Sequence, residues 1–276
     1  MWIAKTKSHL KKQLNDCSQP VILVPTMGAL HLGHAGLIDM ARQRAGKSGT
    51  VIVSIFVNAI QFDNAGDFEK YPRPFDADIT VCQLHGVDGV FAPGHNEMYF
   101  PDRSITVTEE LLSKGLCGDT RPGHFDGVCT VVLKLFNLTR CDAAVFGEKD
   151  FQQLAIIRRL VRDLDLDVEI ILHPTIREID GLAMSSRNVR LLSGHRKDAP
   201  RIRKALLAAG EMTSAQQILD TARQEIEKSP YLKIDYLTLV DAETLSPAAN
   251  LNTPTILACA VYYDDVRLID HIGIRR

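Results

Sequence analysis

The sequence predicts an α/β protein with a parallel sheet in its N-terminal part and a smaller α+β unit in its C-terminal part. Up to about residue 175, short apolar runs alternate with segments of helical apolar spacing, which is typical of a parallel sheet covered by helices on both faces. Beyond that point, helical segments are followed by runs with strand character. We therefore predict two domains, residues 1–175 and residues 176–276.

The individual elements follow from the same patterns. Apolar runs predict N-terminal strands at Val21–Val24, Val51–Val57, Gly89–Phe91, Ala143–Phe146 and Val168–Leu172. Helical spacing between them predicts helices at Ala35–Ala45, Phe75–His85, Gly127–Leu138 and Asp150–Leu164. In the C-terminal part we predict helices at Ser193–Met212 and Ala215–Lys228, and strands at Leu232–Val240, Thr255–Tyr262 and Val266–His271.

Composition excludes several classes of protein. The formal net charge of −2 argues against a general nucleic-acid binder, which normally carries a basic surplus. The six cysteines form no C-x-x-C pair, which indicates free thiols in a reducing compartment. The first residues lack an apolar signal core, and no apolar run reaches transmembrane length. We expect a cytoplasmic protein with neither a nucleic-acid nor a membrane partner.

The strongest functional signal is the loop between the first predicted strand and the helix after it, which ends in His31-Leu-Gly-His34. Open amides of the first helical turn and the positive end of the helix dipole make such a corner a phosphate site. The two histidines would stand beside it. Two alternatives remain at this point: incidental loop histidines, or a metal site built from ring nitrogens at i and i+3.

Better-known phosphate loops do not match this corner. Gly28 and Gly33 have the spacing of a P-loop, but His34 and Ala35 stand where that motif has lysine and a hydroxyl residue. A G-x-G-x-x-G dinucleotide fingerprint is also absent from this turn. What remains is the H-x-G-H pattern.

Three further polar segments follow predicted strands or join the two predicted domains. Lys149 can reach a phosphate as a point charge, and Asp150 can cap a helix or take part in the site. The carboxamides of Asn58 and Gln61 can bind a hydroxy acid through neutral hydrogen bonds. The loop Met184–Arg187 offers two hydroxyls and a guanidinium that can close on phosphates.

These segments, taken together, resemble a known family. The motifs are Pro25-Thr-Met-Gly-Ala-Leu-His-Leu-Gly-His34, Phe56-Val-Asn58 with Gln61-Phe62, Tyr71-Pro-Arg73, Arg121-Pro-Gly-His124-Phe, Thr130-Val-Val-Leu-Lys-Leu-Phe136, Phe146-Gly-Glu-Lys-Asp-Phe-Gln-Gln153, Asp180-Gly-Leu-Ala-Met-Ser-Ser-Arg-Asn188 and Arg267-Leu-Ile-Asp270. In this order they resemble the pantoate–β-alanine ligase family of the HxGH nucleotidyltransferase superfamily. The resemblance covers nearly the whole chain.

The resemblance implies a Rossmann-like N-terminal domain, a smaller C-terminal domain that closes as a lid, and a cytosolic homodimer. It also implies a two-step reaction. ATP and (R)-pantoate give pantoyl adenylate and pyrophosphate with Mg²⁺, and β-alanine then attacks the acyl carbon to release pantothenate and AMP. The acyl group is activated by AMP instead of by a covalent enzyme intermediate.

Site residues are implied position by position. The ATP-binding residues would be Met27, Gly28, Ala29, Leu30, His31, Leu32, Gly33, His34, Gly147, Glu148, Lys149, Asp150, Ile176, Met184, Ser185, Ser186 and Arg187. The catalytic residues among them would be His34, His31, Lys149 and Arg187. Gln61 and Gln153 would bind pantoate, and Gln61 would also lie near β-alanine. The metal ligands are unassigned.

Five positions depart from the family pattern. Ala59 replaces a proline, which suggests a looser turn after Asn58, and Leu32 replaces the commoner glutamate inside H-x-G-H. The other three are Arg190 in place of tyrosine, Asp264 in place of glycine and His271 in place of asparagine. None of them removes a group expected to be catalytic.

The same residues disfavour rival functions. Other adenylyl or cytidylyl transferases share the H-x-G-H corner but lack the pair Gln61 and Gln153. We expect no basic tRNA-binding domain, which argues against an aminoacyl-tRNA synthetase. A nucleotide-binding regulator on a decayed scaffold is disfavoured because His31, His34, Lys149 and Arg187 are all retained.

Overall fold

The computed structural model describes residues 1–63, 65–248 and 250–274, and the chain divides into two compact units. The first unit comprises Met1–Glu109, Arg121–Glu148 and Ile156–Pro174. The second unit comprises Glu110–Thr120, Lys149–Ala155 and Thr175–Arg276. The N-terminal part of the chain thus contributes two short segments to the second unit. The domain boundary at residue 175 stays a prediction.

The elements alternate between strands and helices over most of the chain. The strands are β1 (Trp2–Ala4), β2 (Val21–Thr26), β3 (Thr50–Ile55), β4 (Gly89–Phe91), β5 (Ala143–Gly147), β6 (Glu169–His173), β7 (Leu232–Asp241), β8 (Thr255–Tyr263) and β9 (Val266–Ile274). The helices are α1 (Lys7–Leu14), α2 (Leu32–Ala45), α3 (Ala65–Lys70), α4 (Phe75–Leu84), α5 (His95–Met98), α6 (Cys117–Thr120), α7 (His124–Thr139), α8 (Phe151–Asp163), α9 (Ser193–Asp198), α10 (Arg201–Gly210) and α11 (Ala215–Glu227).

The first unit is built on a six-stranded sheet in the order β1-β4-β3-β2-β5-β6, and every pairing is parallel. From β2 the chain proceeds through β3 to β4 in one direction, and β5 and β6 extend the sheet in the other. The order therefore reverses between β2 and β5. Ligands of such sheets bind beyond the carboxyl ends of the strands at this switch point. The parallel sheet predicted from the apolar runs is confirmed.

The N-terminal strand β1 and helix α1 were not predicted. Strand β1 is only three residues long, and it was not recognised from the sequence. Strand β1 pairs with β4 in parallel, and Trp2 lies opposite Gly89. A Cβ atom on Gly89 would come 2.0 Å from the Trp2 indole, so glycine is needed where the ring crosses the neighbouring strand.

The second unit has its own core around an antiparallel sheet in the order β7-β8-β9. Residues of α10 and α11, such as Leu206 and Ile218, pack in one buried cluster with Leu257 and Val261 of β8. The smaller α+β unit is thereby confirmed. The prediction of one continuous helix over Ser193–Met212 is wrong.

Two helices occupy that segment, α9 and α10, and Pro200 lies between them. Proline has no backbone N–H, and its ring clashes with the carbonyl four residues earlier in a helix. The apolar spacing continues through this break, which is why the pattern alone predicted one helix. In the described part of the chain, no helix combines the length and apolar character needed to cross a membrane.

Candidate active site

Two histidines close the start of helix α2 with their ring nitrogens. His31 is the N-cap residue, and its Nδ1 accepts a hydrogen bond from the Gly33 amide at 3.0 Å. The His31 amide donates to Nδ1 of His34 at 3.3 Å, which completes a capping box. The amides of His34 and Ala35 donate to the His31 carbonyl. The prediction that first-turn amides stay open for a phosphate is therefore wrong for Gly33, His34 and Ala35.

Hydrogen bonding at Nδ1 also fixes the tautomer of both rings. A backbone N–H can only donate, so each Nδ1 is an acceptor and a neutral ring carries its proton on Nε2. The positive end of the helix dipole disfavours a charged imidazolium at this position. The centroids of the His31 and His34 rings lie 4.1 Å apart, and both residues are half-buried. With both rings neutral, the corner thus has two Nε2–H donors.

Asp78 holds the loop that leads into α2. Gly28 and Ala29 both have left-handed backbones, with φ of 79° and 51°. The Ala29 amide donates to Asp78 Oδ2 at 2.9 Å, and the Leu30 amide donates to Oδ1 at 2.7 Å. Burial raises the pKa of the Asp78 carboxyl, while the two amide bonds act in the opposite direction. A Cβ atom on Gly28 would lie 2.8 Å from Asp78 Oδ2, so the loop requires glycine there.

Asp78 was not predicted to take part in the site. Acidic residues are common in the first turn of a helix, and Asp76 lies in the same turn of α4. What distinguishes Asp78 is burial, since it is 1% exposed whereas Asp76 is exposed. The helical pattern of this short segment could not show that difference.

Gln61 lies in a 3₁₀ turn (Ala59–Gln61) just beyond β3. Its Oε1 accepts a hydrogen bond from Asn58 Nδ2 at 2.9 Å, and its Nε2 donates to Met27 Sδ at 3.1 Å. Strands β2 and β3 are neighbours, so their carboxyl ends place Met27 and Gln61 side by side. The structure therefore brings together two of the residues predicted for the site.

Helix α7 supports the main chain of this turn. His124 Nδ1 lies 2.7 Å from the Gln61 carbonyl oxygen, and Arg121 Nη1 lies 3.1 Å from His124 Nε2. A carbonyl only accepts and a guanidinium only donates, so His124 carries its proton on Nδ1 and accepts at Nε2. A Cβ atom on Gly127 would come 2.5 Å from the Ile60 carbonyl oxygen. His124 belongs to the motif Arg121-Pro-Gly-His124-Phe, but no sequence pattern assigned either His124 or Gly127 a role.

In the second unit, Lys149 and Asp150 lie in a 3₁₀ turn (Glu148–Asp150) that leads into α8. Lys149 Nζ is 3.6 Å from Asp150 Oδ1, and the lysine side chain is 20% exposed. Asp150 itself is half exposed. The ammonium group is thus held close to a carboxylate while part of the lysine side chain stays open to solvent.

The adjacent glutamines of α8 have different environments. Gln152 is buried, accepts a hydrogen bond from the Cys117 amide at 2.9 Å, and donates to the Leu112 and Gly115 carbonyls. It therefore ties the start of α8 to the segment before α6. Gln153, the residue predicted to bind pantoate, is half-buried.

Hydrogen bonds close the predicted phosphate loop of the second unit at both ends. The Met184 amide donates to the Ile176 carbonyl at 3.0 Å. At the other end, the Asn188 amide donates to the Ser185 carbonyl at 3.0 Å. Ile176 and Met184, both predicted to contact the nucleotide, are therefore adjacent.

A cluster of charged side chains supports the same loop. Glu178 accepts hydrogen bonds from Asn188 Nδ2 at 2.7 Å and from the Arg196 guanidinium. Arg196 also donates to Asp180 at 2.6 Å. Burial raises the pKa of the Asp180 carboxyl, but its hydrogen bonds from Arg196 and the Leu182 amide outweigh that effect and lower it. None of these side chains was predicted as part of the site, because their partners are distant in sequence.

A buried ion pair fixes the first residues of this segment. Both Arg177 terminal nitrogens donate to the Asp270 carboxylate, at 2.7 and 2.9 Å, and Asp270 is 4% exposed. Such bidentate pairing is geometrically specific. Arg177 also donates to the Gly181 carbonyl at 3.1 Å, which links the ion pair to the turn before the loop.

The geometry bears on the alternative that His31 and His34 bind a metal ion. His31 and His34 already accept hydrogen bonds at Nδ1. Within residues 1–63, 65–248 and 250–274, no three His, Cys, Asp or Glu side chains converge as metal ligands. All six cysteines lie in these ranges without a disulfide, and five of them are buried.

Comparison with known proteins decides the family. A family model described as pantoate-beta-alanine ligase matches residues 2–273. The chain belongs to the pantoate-beta-alanine ligase family. A pantothenate synthetase of Akkermansia muciniphila is 52% identical over 258 residues, which is 92% of each chain. Membership of this enzyme family makes the chain a ligase that forms pantothenate.

Solved structures agree with this family assignment. The pantothenate synthetase from Thermus thermophilus superposes with a TM-score of 0.94 at 40% identity and covers 100% of both chains. A pantoate-beta-alanine ligase from Francisella tularensis, in complex with beta-gamma ATP and beta-alanine, has a TM-score of 0.82 at 33% identity. The match covers 99% of this chain and 97% of the Francisella tularensis chain. The predicted fold class of the ligase is therefore confirmed.

Two departures from the family pattern lie in the first unit. Ala59 does not loosen the turn, because Asn58 is fully buried and donates to both Gln61 and the Gly127 carbonyl. Leu32 is the first residue of α2 and is 66% exposed, so its side chain can vary without disturbing the cap.

The other three departures lie in the second unit of the ligase. Arg190 pairs with Asp265 at 2.6 Å. Asp264 has a left-handed backbone (φ 52°) in the turn between β8 and β9. The family's usual glycine adopts this conformation without steric cost. The His271 ring packs 5.1 Å from the Phe151 ring. These changes concern packing and turn geometry.

Proposed function

We propose that this ligase forms pantothenate in two steps, through pantoyl adenylate. In the first step, a carboxylate oxygen of (R)-pantoate attacks the α-phosphorus of ATP, and the bond to the β-phosphate breaks to release pyrophosphate. In the second step, the amine of β-alanine attacks the acyl carbon, the acyl C–O bond breaks, and AMP and a proton leave. Because a carboxylate must approach a crowded polyanion, positioning and charge neutralisation dominate the first step.

The hydrogen bond at Nδ1 of His34 is the observation that carries this proposal. It makes a neutral His34 a donor at Nε2, which is what a phosphate oxygen needs as negative charge develops in the transition state. His34 is therefore the central catalytic donor. His31 has the same tautomer and caps the helix, so its role combines loop structure with phosphate binding.

The remaining nucleotide contacts are proposed by family position. Lys149 and Arg187 supply the positive charge that stabilises the leaving pyrophosphate. Ile176 contacts the adenine through its backbone. The full set of ATP-binding residues is Met27, Gly28, Ala29, Leu30, His31, Leu32, Gly33, His34, Gly147, Glu148, Lys149, Asp150, Ile176, Met184, Ser185, Ser186 and Arg187.

Gln61 and Gln153 are the proposed pantoate-binding residues. Pantoate carries hydroxyl groups and a carboxylate, and carboxamides can both donate to and accept from such groups. The fixed carboxamide of Gln61 supports its part in this assignment. Gln61 also lies near the incoming amine of β-alanine in the proposal.

Mg²⁺ accompanies ATP in the proposed reaction. Magnesium usually keeps several waters and binds one or two carboxylates together with substrate phosphates. The acidic residues in the proposed ATP-binding set are Glu148 and Asp150, and carboxylates are donors that suit such a cation. One or two of them would hold the ion, which would neutralise phosphate charge.

We further propose that the ligase is a cytoplasmic homodimer, as its family resemblance implies. Sedimentation equilibrium of the purified chain should give twice the chain mass of 30.6 kDa. A single-chain mass over the concentration range used in the enzyme assays would contradict the dimer.

A pyrophosphate-release assay tests the two-step reaction. With ATP, Mg²⁺ and pantoate but without β-alanine, one equivalent of pyrophosphate per active site should appear in a rapid burst. AMP should follow only when β-alanine is added. Pyrophosphate release that is independent of pantoate, or that needs β-alanine, would overturn the proposed order of steps.

A further inference from the structure

We propose that Tyr99 is a positioning residue for pantoate, because its hydroxyl acts through Asn58 to fix the orientation of the Gln61 carboxamide. The inference rests on the proposed function in one respect, namely that Gln61 binds pantoate. Tyr99 itself lies at the end of helix α5 and was not singled out by any sequence pattern.

The carboxamide of Asn58 has one orientation that satisfies all its neighbours. Asn58 is fully buried. The Gly127 carbonyl, 3.1 Å away, can only accept, so the NH₂ group of Asn58 must face it. The Asn58 oxygen then faces Tyr99, whose hydroxyl donates to it at 2.9 Å. The second N–H of Asn58 is left to donate to Gln61 Oε1 at 2.9 Å.

This orientation is passed on to Gln61. Because its oxygen is occupied by Asn58, its NH₂ group faces the opposite side, where one N–H donates to Met27 Sδ at 3.1 Å. An amide NH₂ has two hydrogens, so the second can donate to an oxygen of pantoate. If the carboxamide were reversed, it would present its oxygen to an anionic substrate, and the two would repel each other.

Tyr99 is well suited to anchor this chain of hydrogen bonds. It is 3% exposed, and its ring packs against Phe56 and His95 with centroid distances of 6.1 and 5.5 Å. Burial raises the pKa of the Tyr99 hydroxyl, so it stays protonated and remains a donor throughout the working pH range. Without that donor, the Asn58 oxygen would be buried without its hydrogen bond, which costs stability.

Steady-state kinetics of Tyr99→Phe, Gln61→Ala and the double variant test the inference. Tyr99→Phe should raise the KM for pantoate about tenfold, because the Gln61 carboxamide would then adopt its binding orientation only part of the time, and leave the KM for ATP within about twofold. In the double variant, the KM for pantoate should equal that of Gln61→Ala alone. Tyr263→Phe is the matched control, since Tyr263 is also fully buried and donates to Asp198 at 2.9 Å in the second unit.

The outcomes separate this inference from the proposed function. If Gln61→Ala raises the KM for pantoate but Tyr99→Phe does not, the role of Tyr99 is overturned and that of Gln61 stands. Independent, multiplicative effects in the double variant, or an equal rise in Tyr263→Phe, would also overturn it. An unchanged KM in Gln61→Ala would remove the proposed role of Gln61 and this inference with it.

A second variant covers the case in which Tyr99→Phe does not fold. Asn58→Asp keeps the size of the side chain and can still accept from Tyr99, but it cannot donate to Gln61 Oε1. The same selective rise in the KM for pantoate is expected. An equal rise in the KM for ATP would point to general damage and contradict a positioning role.

Discussion

His34 shows how a single backbone contact decides the chemistry of a side chain. Its Nδ1 accepts from the His31 amide, so the proton of the neutral ring must sit on Nε2. The sequence could predict that a histidine stands at this helix start. It could not predict the tautomer, which depends on the cap formed by His31 and His34. Histidine is not among the usual N-cap residues, and the helix was expected to begin at Ala35.

Replacing His34 should remove a transition-state donor. We expect His34→Ala to reduce the rate of adenylate formation by about 10²-fold or more, the usual worth of one such donor. His34→Gln, which retains an N–H near the position of Nε2, should recover part of that loss. Single-turnover pyrophosphate release measures both variants. Near-wild-type rates in His34→Ala would show that the ring does not act on the phosphates.

Lys149 should contribute a similar factor through its charge. Lys149→Ala is expected to lower adenylate formation by about 10²-fold, because the departing pyrophosphate loses its electrostatic partner. Lys228→Ala is the matched control, since Lys228 is an exposed lysine that is paired with Glu225 on the protein surface. Equal rates for the two variants in the same assay would remove Lys149 from the site.

Asp78 is a buried acid that accepts hydrogen bonds from the Ala29 and Leu30 amides, in the loop proposed to bind ATP. Asp78→Asn should raise the KM for ATP about tenfold, since the new NH₂ group would face an amide N–H and leave it without an acceptor. Asp76→Asn changes an exposed acid in the same helical turn and should leave the KM unaffected. If both variants behave alike, the loop does not depend on this carboxylate.

At the scale of elements, the order of the longer strands and helices was predictable, whereas β1, α1 and the shortest helices were missed and the ends of elements were not predicted. The parallel strands contain apolar runs that the pattern identifies directly. Helix α2 begins at Leu32 because of the histidine cap, and Pro200 separates α9 from α10. Both boundaries depend on single residues whose effect is local, so a window of apolar spacing does not detect them.

The loop Met184–Arg187 depends on charged side chains that lie outside it. Glu178→Gln should weaken ATP binding about fivefold to tenfold, because neutralising the acid weakens its bonds to Arg196 and Asn188. Glu227→Gln, which changes an exposed acid 3.7 Å from Arg223, serves as the control. Calorimetric titration with ATP measures both. An unchanged affinity in Glu178→Gln would show that the loop is held without this cluster.

At the scale of the whole molecule, one carboxylate gives a stability test with a definite sign. Four hydrogen bonds hold Asp241 ionised, from the Thr244 amide, the Thr253 hydroxyl, the Glu243 amide and the Thr244 hydroxyl, and lower its pKa from 3.8 to about 2. A lowered pKa adds stability that is present above the unfolded value and lost as the pH falls through the folded value.

Asp241→Asn should therefore have a lower unfolding temperature than the wild type at pH 7 and at pH 5. The difference should shrink below about pH 4 and be largely lost below pH 2, where the wild-type carboxyl is protonated in the folded state as well. Thermal unfolding at a series of pH values measures it. A difference that stays constant down to pH 2 would mean that the charge of Asp241 contributes nothing.

The candidate site residues could be nominated from the sequence because their motifs are local. His31, His34 and Lys149 each stand in a short pattern that can be read from neighbouring residues. The residues that orient the site, such as Asp78 and Tyr99, meet their partners only after folding. A single sequence therefore indicates candidate substrate-binding groups more readily than the residues that hold them in place.

The proposed adenylate can be tested most directly by following an isotope. With both carboxylate oxygens of pantoate replaced by ¹⁸O, attack on the α-phosphorus transfers one labelled oxygen, and cleavage of the acyl C–O bond leaves it on the phosphate. Mass spectrometry of the complete reaction should find one ¹⁸O in AMP and none in pyrophosphate. AMP without the label would show that pantoate oxygen never bonds to the α-phosphorus, which would contradict the proposed adenylate.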